Sequence, residues 1–207
     1  MSPNCPLCRS DQVEFFLQVK KPLKDFWHCY GCDLVFLSPR QRLQEEEERA
    51  RYLTHNNNPQ DPRYKKYLSL MMEEIWKDGR ISLKLLDYGC GPTNGIEILW
   101  GSESLQVTSY DPFFFPVDVR SNGPYDYILC CESAEHFCCP QKEWQQMAFN
   151  LKPKAKVIMR TGWRPERVKE FARWGYHNDP THVCFYSAKT LEWITSQFGI
   201  QVHSVGL

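Results

Sequence analysis

The stretch that most constrains the fold is residues 84–95, an apolar segment that runs into a glycine-rich loop. Two leucines precede Asp87, and glycines follow at positions 89, 91 and 95. A strand, a glycine loop and a following helix form the nucleotide pocket of many α/β folds, because glycine lets the backbone approach a ligand closely. The carboxylate of Asp87 suits a cationic ligand group and disfavours a pyrophosphate. The alternative is a tight strand-to-helix turn that holds no ligand.

Two further predicted strands end in polar residues. Residues 105–110 predict a second strand that ends at Asp111, where an acid can accept hydrogen bonds from both hydroxyls of a ribose. Residues 125–131 are apolar on both faces, as a buried strand of a parallel sheet requires. Ligands of open α/β sheets bind at the carboxyl ends of the strands. Three polar residues follow this central strand closely: Glu132, Glu135 and His136.

Over residues 80–207 the chain resembles the class I (Rossmann-like) S-adenosylmethionine-dependent methyltransferases. The resemblance rests on Asp-Tyr-Gly-Cys-Gly at 87–91, on Tyr-Asp at 110–111 and on residues 126–137, which include Glu-Ser-Ala-Glu-His-Phe. The sequence departs from the family at Thr93, where a third glycine is expected. The resemblance implies S-adenosyl-L-methionine as the cofactor. It also implies cofactor contacts from Asp87, Gly89, Cys90, Gly91, Asp111, Pro112 and Glu132.

Histidines close to the predicted strand ends are the candidate catalytic residues. In the resembling enzymes a similar Glu-His-Phe turn lies near the methyl acceptor, so His136 and His182 are candidates for a general base or a substrate anchor. The alternative for His136 is a helix cap or a packed loop residue. The polar loop at 176–182 also permits a second metal site, made of His177, Asp179 and His182.

Two Cys-x-x-Cys motifs within residues 1–40 predict a small zinc ribbon with three short strands. A segment of this size buries too little apolar surface to fold alone, so a metal would stabilise it. Four thiolates leave no open coordination position, so we expect a structural ion and no catalytic one. Iron in place of zinc, or a redox pair of dithiols, is the alternative, and the ribbon's role toward a partner or substrate stays open. The four ligands are Cys5, Cys8, Cys29 and Cys32.

Residues 41–80 are predicted to be a helical linker or cap. An exposed helix over 43–53 contains two glutamate–arginine pairs four residues apart, and an amphipathic helix covers 63–77. The resembling enzymes often cover their cofactor with an N-terminal helical segment. By that resemblance three residues could touch the ligand, although an ordinary connector loop is the alternative: Tyr52, His55 and Asn56.

Residues 81–207 form the predicted Rossmann-like domain. Only fourteen residues separate Asp111 from Asp126, too few for a helix and a strand, so the third strand is expected to be small or absent. Phe113 to Phe115 either stack on adenine or fill the core, and we expect two of the three in the core. The other predicted elements are helices over 141–151, 164–174 and 188–198, the last capped by Ser187, and strands over 156–161 and 200–205.

Composition limits the partners and the compartment. The chain carries 25 basic and 25 acidic residues, so its net charge does not indicate nucleic acid. No apolar run is long enough to span a bilayer, and the first residues do not resemble a signal peptide, so we expect no membrane partner and a cytoplasmic protein. Ten cysteines in such a protein indicate metal ligands and buried thiols before disulfides.

These observations together predict an α/β protein with a doubly wound Rossmann-like sheet and an N-terminal zinc ribbon. The predicted function is transfer of a methyl group from S-adenosylmethionine to an unidentified acceptor. A nicotinamide-dependent oxidoreductase is one alternative, because Asp111 also suits that cofactor. A non-catalytic ribbon module with a vestigial Rossmann part is another, and Thr93 with the shortened third strand is its best support.

Overall fold

A five-stranded parallel sheet lies at the centre of the computed structural model, which describes residues 2–205. Each neighbouring pair of its strands is parallel, in the order β5-β4-β6-β7-β9. The predicted α/β, Rossmann-like fold is therefore confirmed. The strands are β4 (Leu83–Tyr88), β5 (Leu105–Tyr110), β6 (Tyr125–Cys131), β7 (Leu151–Arg160) and β9 (Gln201–Ser204).

Helices cover both faces of the sheet because its strands are apolar on both sides. Alternate residues of β4 and β6 enter two separate apolar clusters. One cluster contains α2 (Pro62–Trp76) and α3 (Gly95–Trp100), and the other contains α4 (Pro140–Asn150) and α6 (Ala188–Phe198). Ser187 caps α6 by accepting a hydrogen bond from the Thr190 backbone N–H at 3.2 Å, as predicted.

The expected shortening of the third-strand region is confirmed. Among the described residues between β5 and β6, the chain forms an Asp111–Phe115 bridge and one short turn, Val119–Ser121, and contributes no strand to the sheet. β6 therefore pairs directly with β4. The expectation that two of the three phenylalanines at 113–115 belong to the core is wrong, because all three are only half-buried.

Two predicted boundaries in the second half of the chain are also wrong. β7 starts five residues earlier than expected, and a bulge opposite β6 accommodates the extra residues, with Lys154 in the left-handed region at φ 66°. The helix predicted over 164–174 is a single short turn of helix, α5 (Val168–Phe171). Residues on either side of α5 instead pack against the N-terminal sheet.

The N-terminal ribbon contains the three predicted strands, β1 (Val13–Lys20), β2 (Leu23–Cys29) and β3 (Val35–Leu37), in an antiparallel sheet. A fourth strand, β8 (Cys184–Phe185), pairs with β3 and comes from the other end of the chain. This pairing joins the ribbon to the segment that leads into α6. The division of the chain at residues 40 and 80 remains a prediction.

One apolar core extends from the ribbon into the parallel sheet. At its centre Phe171 packs edge-on against Phe26 of β2 and Phe185 of β8, with ring centroids 5.3 and 5.2 Å away. The Lys24 ammonium, also buried, donates hydrogen bonds to the backbone carbonyls of His177 and Asp179 at 2.7 and 2.9 Å. The ribbon and the parallel sheet are therefore expected to unfold together.

The segment before the sheet contains the two predicted helices, α1 (Glu45–Tyr52) and α2. As expected, α1 is exposed, but the predicted Glu45–Arg49 and Glu47–Arg51 pairs do not form. Arg51 instead pairs with Asp179 at 2.7 Å, and Arg49 lies over the ring of Phe114. Tertiary partners thus replace the helical ones, because exposed i,i+4 pairs are worth only a few tenths of a kcal/mol. Within residues 2–205 no helix combines the length and apolar character of a membrane span.

We expect Phe171→Ala to lower the free energy of unfolding by about 3–5 kcal/mol, because it leaves a cavity in the core shared by the ribbon and the parallel sheet. Urea unfolding followed by both near-UV and far-UV circular dichroism would measure it and should still give one transition. Phe149→Ala is the matched control, since that ring is 78% exposed and its loss should be nearly neutral. Equal effects of the two substitutions would contradict the shared core.

Candidate functional site

The four cysteines predicted as metal ligands form one compact cluster, which we call the four-cysteine cluster. The Sγ atoms of Cys5 and Cys32 lie 3.5 Å apart, and those of Cys8 and Cys29 lie 3.3 Å apart. All four Sγ atoms lie within 4.8 Å of one another, and no disulfide joins them. Four sulfurs at about 2.3 Å from a tetrahedral Zn²⁺ would be about 3.8 Å apart, so the arrangement fits such an ion.

Both cysteine motifs turn in the same way. The residue after the second cysteine, Arg9 or Asp33, has positive φ, and its N–H donates to the carbonyl of the first cysteine at 3.0 or 2.9 Å. Gly31, inside the second motif, does not have a positive φ. A Cβ at Gly31 would lie 3.5 Å from the Cys8 Sγ, so the glycine leaves space beside the cluster.

Asp33 connects the four-cysteine cluster to the rest of the molecule. Its carboxylate accepts hydrogen bonds from Arg164 at 2.7 Å and from Ser187 at 2.5 Å, and it lies 2.8 Å from Nε2 of His28. Burial acts to raise the pKa of Asp33, but these hydrogen bonds and the charge of Arg164 outweigh it and lower the pKa. The carboxylate therefore stays ionised and holds the second cysteine motif against the start of α6.

The glycine loop (residues 89–95) lies at the carboxyl end of β4. Gly89 has φ 83°, and a Cβ there would lie 2.4 Å from the Ser133 Oγ, so the missing side chain makes room for Ser133. Gly91 has φ 67°, and its Cβ position is open apart from an Asn57 nitrogen at 3.8 Å. The left-handed position at the end of the loop is Asn94, a residue type that tolerates it, with φ 36°. Thr93 therefore needs no positive φ.

Asp111 ties the glycine loop to the end of β5. Its carboxylate accepts hydrogen bonds from the backbone N–H groups of Gly91 at 3.1 Å, Phe113 at 2.9 Å and Phe114 at 3.2 Å. Burial raises the pKa of Asp111, and the three N–H groups act in the opposite direction. A carboxylate has about four lone pairs, so this anchoring still leaves one for a ligand hydroxyl.

Asp87 is buried, at 5% exposed, and the described residues give its carboxylate no hydrogen-bond donor. Burial raises the pKa of Asp87 to about 7, and the negative charges of Asp111 and Glu97 add to the shift. An unpaired buried carboxylate destabilises a folded protein unless a ligand compensates it. This observation fits a cationic ligand group beside the glycine loop.

The other residues predicted to contact the cofactor surround the same loop, but they differ in exposure. Cys90 is buried, which raises the pKa of its thiol and makes it unreactive at neutral pH. Pro112 is exposed next to Asp111. Glu132 has a left-handed φ of 47°. Its carboxylate accepts a hydrogen bond from Tyr67 at 3.1 Å and lies 2.7 Å from the hydroxyl of Tyr176. Neither tyrosine was predicted, since the helix pattern placed Tyr67 on an apolar face.

His136 and His182, the two predicted catalytic residues, lie together with ring centroids 4.9 Å apart. The ring nitrogens and one carboxylate oxygen of Glu135 come within 4.8 Å of one another, and we call these three residues the histidine cluster. Burial lowers the pKa of His136 to about 3, helped by the nearby His182, and burial also lowers the pKa of His182. Both rings are therefore neutral at pH 7.

Glu135 is fully buried in the histidine cluster. Thr161 donates to one of its carboxylate oxygens at 2.8 Å, and Tyr176 donates to the other at 2.5 Å. Burial raises the pKa of Glu135, and the charge of Glu132 adds to the shift. The hydroxyl of Tyr176 touches both carboxylates, although its one hydrogen can serve only one of them.

The prediction of a second metal site made of His177, Asp179 and His182 is wrong, because these three side chains do not come together. His177 is buried and stacks on Phe171, with centroids 5.3 Å apart. Asp179 accepts hydrogen bonds from the Thr181 hydroxyl at 2.6 Å and from Arg51. Of these three residues, only His182 belongs to a group of possible metal ligands in the described chain. Its partners there are Glu135 and His136, the other residues of the histidine cluster.

Residues of the predicted cap contact the site. At the end of α1, Tyr52 packs between Phe113 and His136, with ring centroids 5.8 and 5.1 Å away, and its hydroxyl donates to Glu48 at 2.5 Å. From α2, the Tyr64 ring lies within 3.2 Å of the Cβ position of Gly95. The predicted cap therefore contacts both His136 and the glycine loop.

Comparison with known proteins gives one family. A family model described as a methyltransferase domain matches residues 26–205, which is most of the chain. The match starts inside β2, so it includes the second cysteine motif and leaves out the first. A comparison with curated proteins gives no match.

We expect Asp87→Asn to stabilise the ligand-free protein at pH 8. The folded-state pKa of about 7 lies above the unfolded value, so ionisation of Asp87 destabilises the fold as pH rises through this window. The gain in unfolding free energy relative to the native chain should grow by up to about 3 kcal/mol between pH 5 and pH 8. Urea unfolding at both pH values would measure it.

Asp118→Asn is the matched control for that comparison, because Asp118 is an exposed aspartate that directly precedes the short turn Val119–Ser121. Its effect should hardly differ between the two pH values. A loss of stability in Asp87→Asn at pH 8 would mean that the carboxylate has a stabilising partner and would contradict the unpaired state of Asp87.

Proposed function

We propose that this chain, which belongs to the methyltransferase-domain family, transfers the methyl group of S-adenosyl-L-methionine to an acceptor molecule. The observation that carries the proposal is the unpaired, buried carboxylate of Asp87 beside the open face of Gly91. Bound S-adenosylmethionine would supply an electrophilic sulfonium methyl and a cationic amino group. The residues around the glycine loop would bind, orient and shield it.

In this proposal Asp87 compensates the positive charge of the cofactor's methionine part, directly or through water. Asp111 accepts a hydrogen bond from one ribose hydroxyl while its backbone contacts keep the glycine loop in place. Gly89, Cys90 and Gly91 form the floor of the site. Pro112 and Glu132 border the same cofactor pocket.

Methyl transfer from a sulfonium depends mainly on proximity and alignment of the acceptor. His136 and His182 are the proposed residues on the acceptor side, because His136 follows β6 and packs against the Tyr52 ring, and His182 packs against His136. Their lowered pKa keeps both rings neutral, but a pKa of about 3 makes His136 a weak base. Positioning the acceptor is therefore the role that we favour for His136.

We propose that the four-cysteine cluster holds a structural Zn²⁺. Support comes from the four close sulfurs and from the closed, core-connected position of the ribbon. None of the ten cysteines, all of which lie in the described part of the chain, forms a disulfide, which supports the reducing cytoplasm as the compartment. The acceptor is an unidentified small molecule or macromolecule, and the zero net charge offers no support for nucleic acid.

Two other functions were open from the sequence. The family match favours methyl transfer over a nicotinamide-dependent oxidoreductase. A non-catalytic module would have no use for a destabilising carboxylate at Asp87, so the burial of Asp87 also counts against that reading. Cofactor binding separates the three possibilities.

The test of the proposed function is calorimetric titration with S-adenosylhomocysteine, run beside NAD(H). We expect micromolar binding of S-adenosylhomocysteine alone. Asp111→Ala should weaken it by about 1.5–3 kcal/mol, as for hydrogen bonds to a charged group. Asp118→Ala, an exposed aspartate, should bind like the native chain. Folded protein that binds neither ligand would overturn the enzyme proposal, and binding of NAD(H) alone would replace it.

For the four-cysteine cluster we expect about one zinc ion per chain by elemental analysis of the native protein. Cys8→Ser should lose the ion and lower the thermal midpoint of the whole chain, because the ribbon shares its core with the parallel sheet. Cys139→Ser, which changes an exposed thiol outside the cluster, is the control. If elemental analysis finds iron instead, the cluster is an iron site and not a zinc site. A native protein that is folded without any metal would refute the site.

A further inference from the structure

We propose that the histidine cluster is a second metal site, which binds one divalent cation of the Mn²⁺, Fe²⁺ or Zn²⁺ class. Its ligands would be Nε2 of His136, Nε2 of His182 and a carboxylate oxygen of Glu135. The site is separate from the four-cysteine cluster, which lies in the ribbon. It goes beyond the proposed function, since methyl transfer from a sulfonium needs no metal.

The three ligand groups already converge. One ring nitrogen of each histidine and one carboxylate oxygen of Glu135 lie within 4.8 Å of one another. Ligand atoms about 2.1 Å from one ion are about 3–4 Å apart, so a bound ion would draw these atoms closer together. The ligands come from two short segments: Glu135 and His136 are adjacent after β6, and His182 lies two residues before β8.

Both imidazoles are held in the orientation that metal ligands require. Nδ1 of His136 lies 3.0 Å from the carbonyl of Thr181, and Nδ1 of His182 lies 2.7 Å from the carbonyl of Tyr176. A carbonyl oxygen only accepts, so each Nδ1 must carry the hydrogen and each Nε2 presents its lone pair. Metal-bound histidines commonly show this pattern, in which a backbone carbonyl or a carboxylate fixes the tautomer.

Hydrogen bonds also fix the orientation of Glu135. Its two carboxylate oxygens accept hydrogen bonds from Thr161 and Tyr176, which orient the group and leave a lone pair on each oxygen. A buried glutamate with only a structural role would not need two unprotonated imidazole nitrogens beside it. The hydrogen bonds from Thr161 and Tyr176 orient Glu135 in the way that hydrogen-bond partners usually orient a metal-binding carboxylate.

The charges around the cluster also favour a cation. Two carboxylates, Glu132 and Glu135, meet at the hydroxyl of Tyr176. The nearest guanidinium, Arg160, reaches only Glu132, at 3.5 Å, and lies over the Tyr67 ring. The Glu135 carboxyl group therefore has no cationic partner among these residues. Two imidazoles and one carboxylate suit first-row transition ions better than Mg²⁺ or Ca²⁺, which prefer oxygen ligands.

Three protein ligands leave coordination positions open, so the ion could also bind water or a donor atom of another molecule. The cluster lies close to the glycine loop, because the Ser133 hydroxyl between them donates to the Gly89 carbonyl at 3.2 Å. If the proposed function holds, the ion would lie on the acceptor side and could hold an acceptor that offers an oxygen or nitrogen donor.

The test is Mn²⁺ binding to native protein that holds one zinc ion per chain, so that only the four-cysteine cluster is filled, followed by loss of the electron paramagnetic resonance signal of free Mn²⁺. Mn²⁺ is a hard ion and should not displace zinc from four thiolates. We expect one Mn²⁺ per chain, with roughly 10-fold or greater weakening in Glu135→Gln and in His182→Ala. His203→Ala, on the half-exposed terminal strand, is the matched control and should bind like the native chain.

Each variant is checked for zinc content and for S-adenosylhomocysteine binding, so that an unfolded variant is recognised. A second measurement needs no variant: pulsed resonance of Mn²⁺ in the native protein should show coupling to two imidazole nitrogens. No Mn²⁺ bound to native protein that does bind S-adenosylhomocysteine would overturn this site and leave the proposed function intact. Mn²⁺ binding without imidazole coupling, or unchanged in both variants, would also overturn the site.

Discussion

The pairing of β3 with β8 is the constraint on which the rest of this molecule depends. It joins a ribbon too small to fold alone to the parallel sheet, and it places Phe171 and Phe185 over Phe26 in one core. The same connection orders the chain just before β8, where His182 lies. The ribbon therefore contributes to the candidate site by fixing the position of a distant segment, without any direct contact between the four-cysteine cluster and the glycine loop.

Buried acidic groups beside the glycine loop lower the stability of the ligand-free chain. Asp87 and Asp111 are buried and the exposed Glu97 is close enough to act on Asp87, whose burial raises its pKa to about 7. Asp111 is compensated by three backbone N–H groups, whereas Asp87 has no donor among the described residues. Stored destabilisation of this kind is typical of a binding site, because the ligand supplies the missing partner.

The proposed acceptor side of the site consists mainly of residues whose contacts cannot be read from their own positions in the sequence. Tyr176 links Glu132 to Glu135, and two backbone carbonyls fix the tautomers of His136 and His182. The cap contributes the Tyr52 ring. A sequence pattern reports side-chain type and spacing along the chain, but these contacts join residues as much as 84 positions apart, as from Tyr52 to His136.

The sequence by itself determined the parallel sheet, the ribbon strands, the four cysteines and the glycine loop with its two acids, because each depends on local periodicity or short spacing. It failed where long-range contacts decide. The helix expected over 164–174 is reduced to α5, since that segment packs against the ribbon, and the ion pairs expected within α1 yield to Asp179 and Phe114. Only the tertiary structure brought Glu135 to the two histidines and left His177 in the core. Chain proximity fixes turns and strands, whereas burial and packing among distant segments decide which polar groups meet.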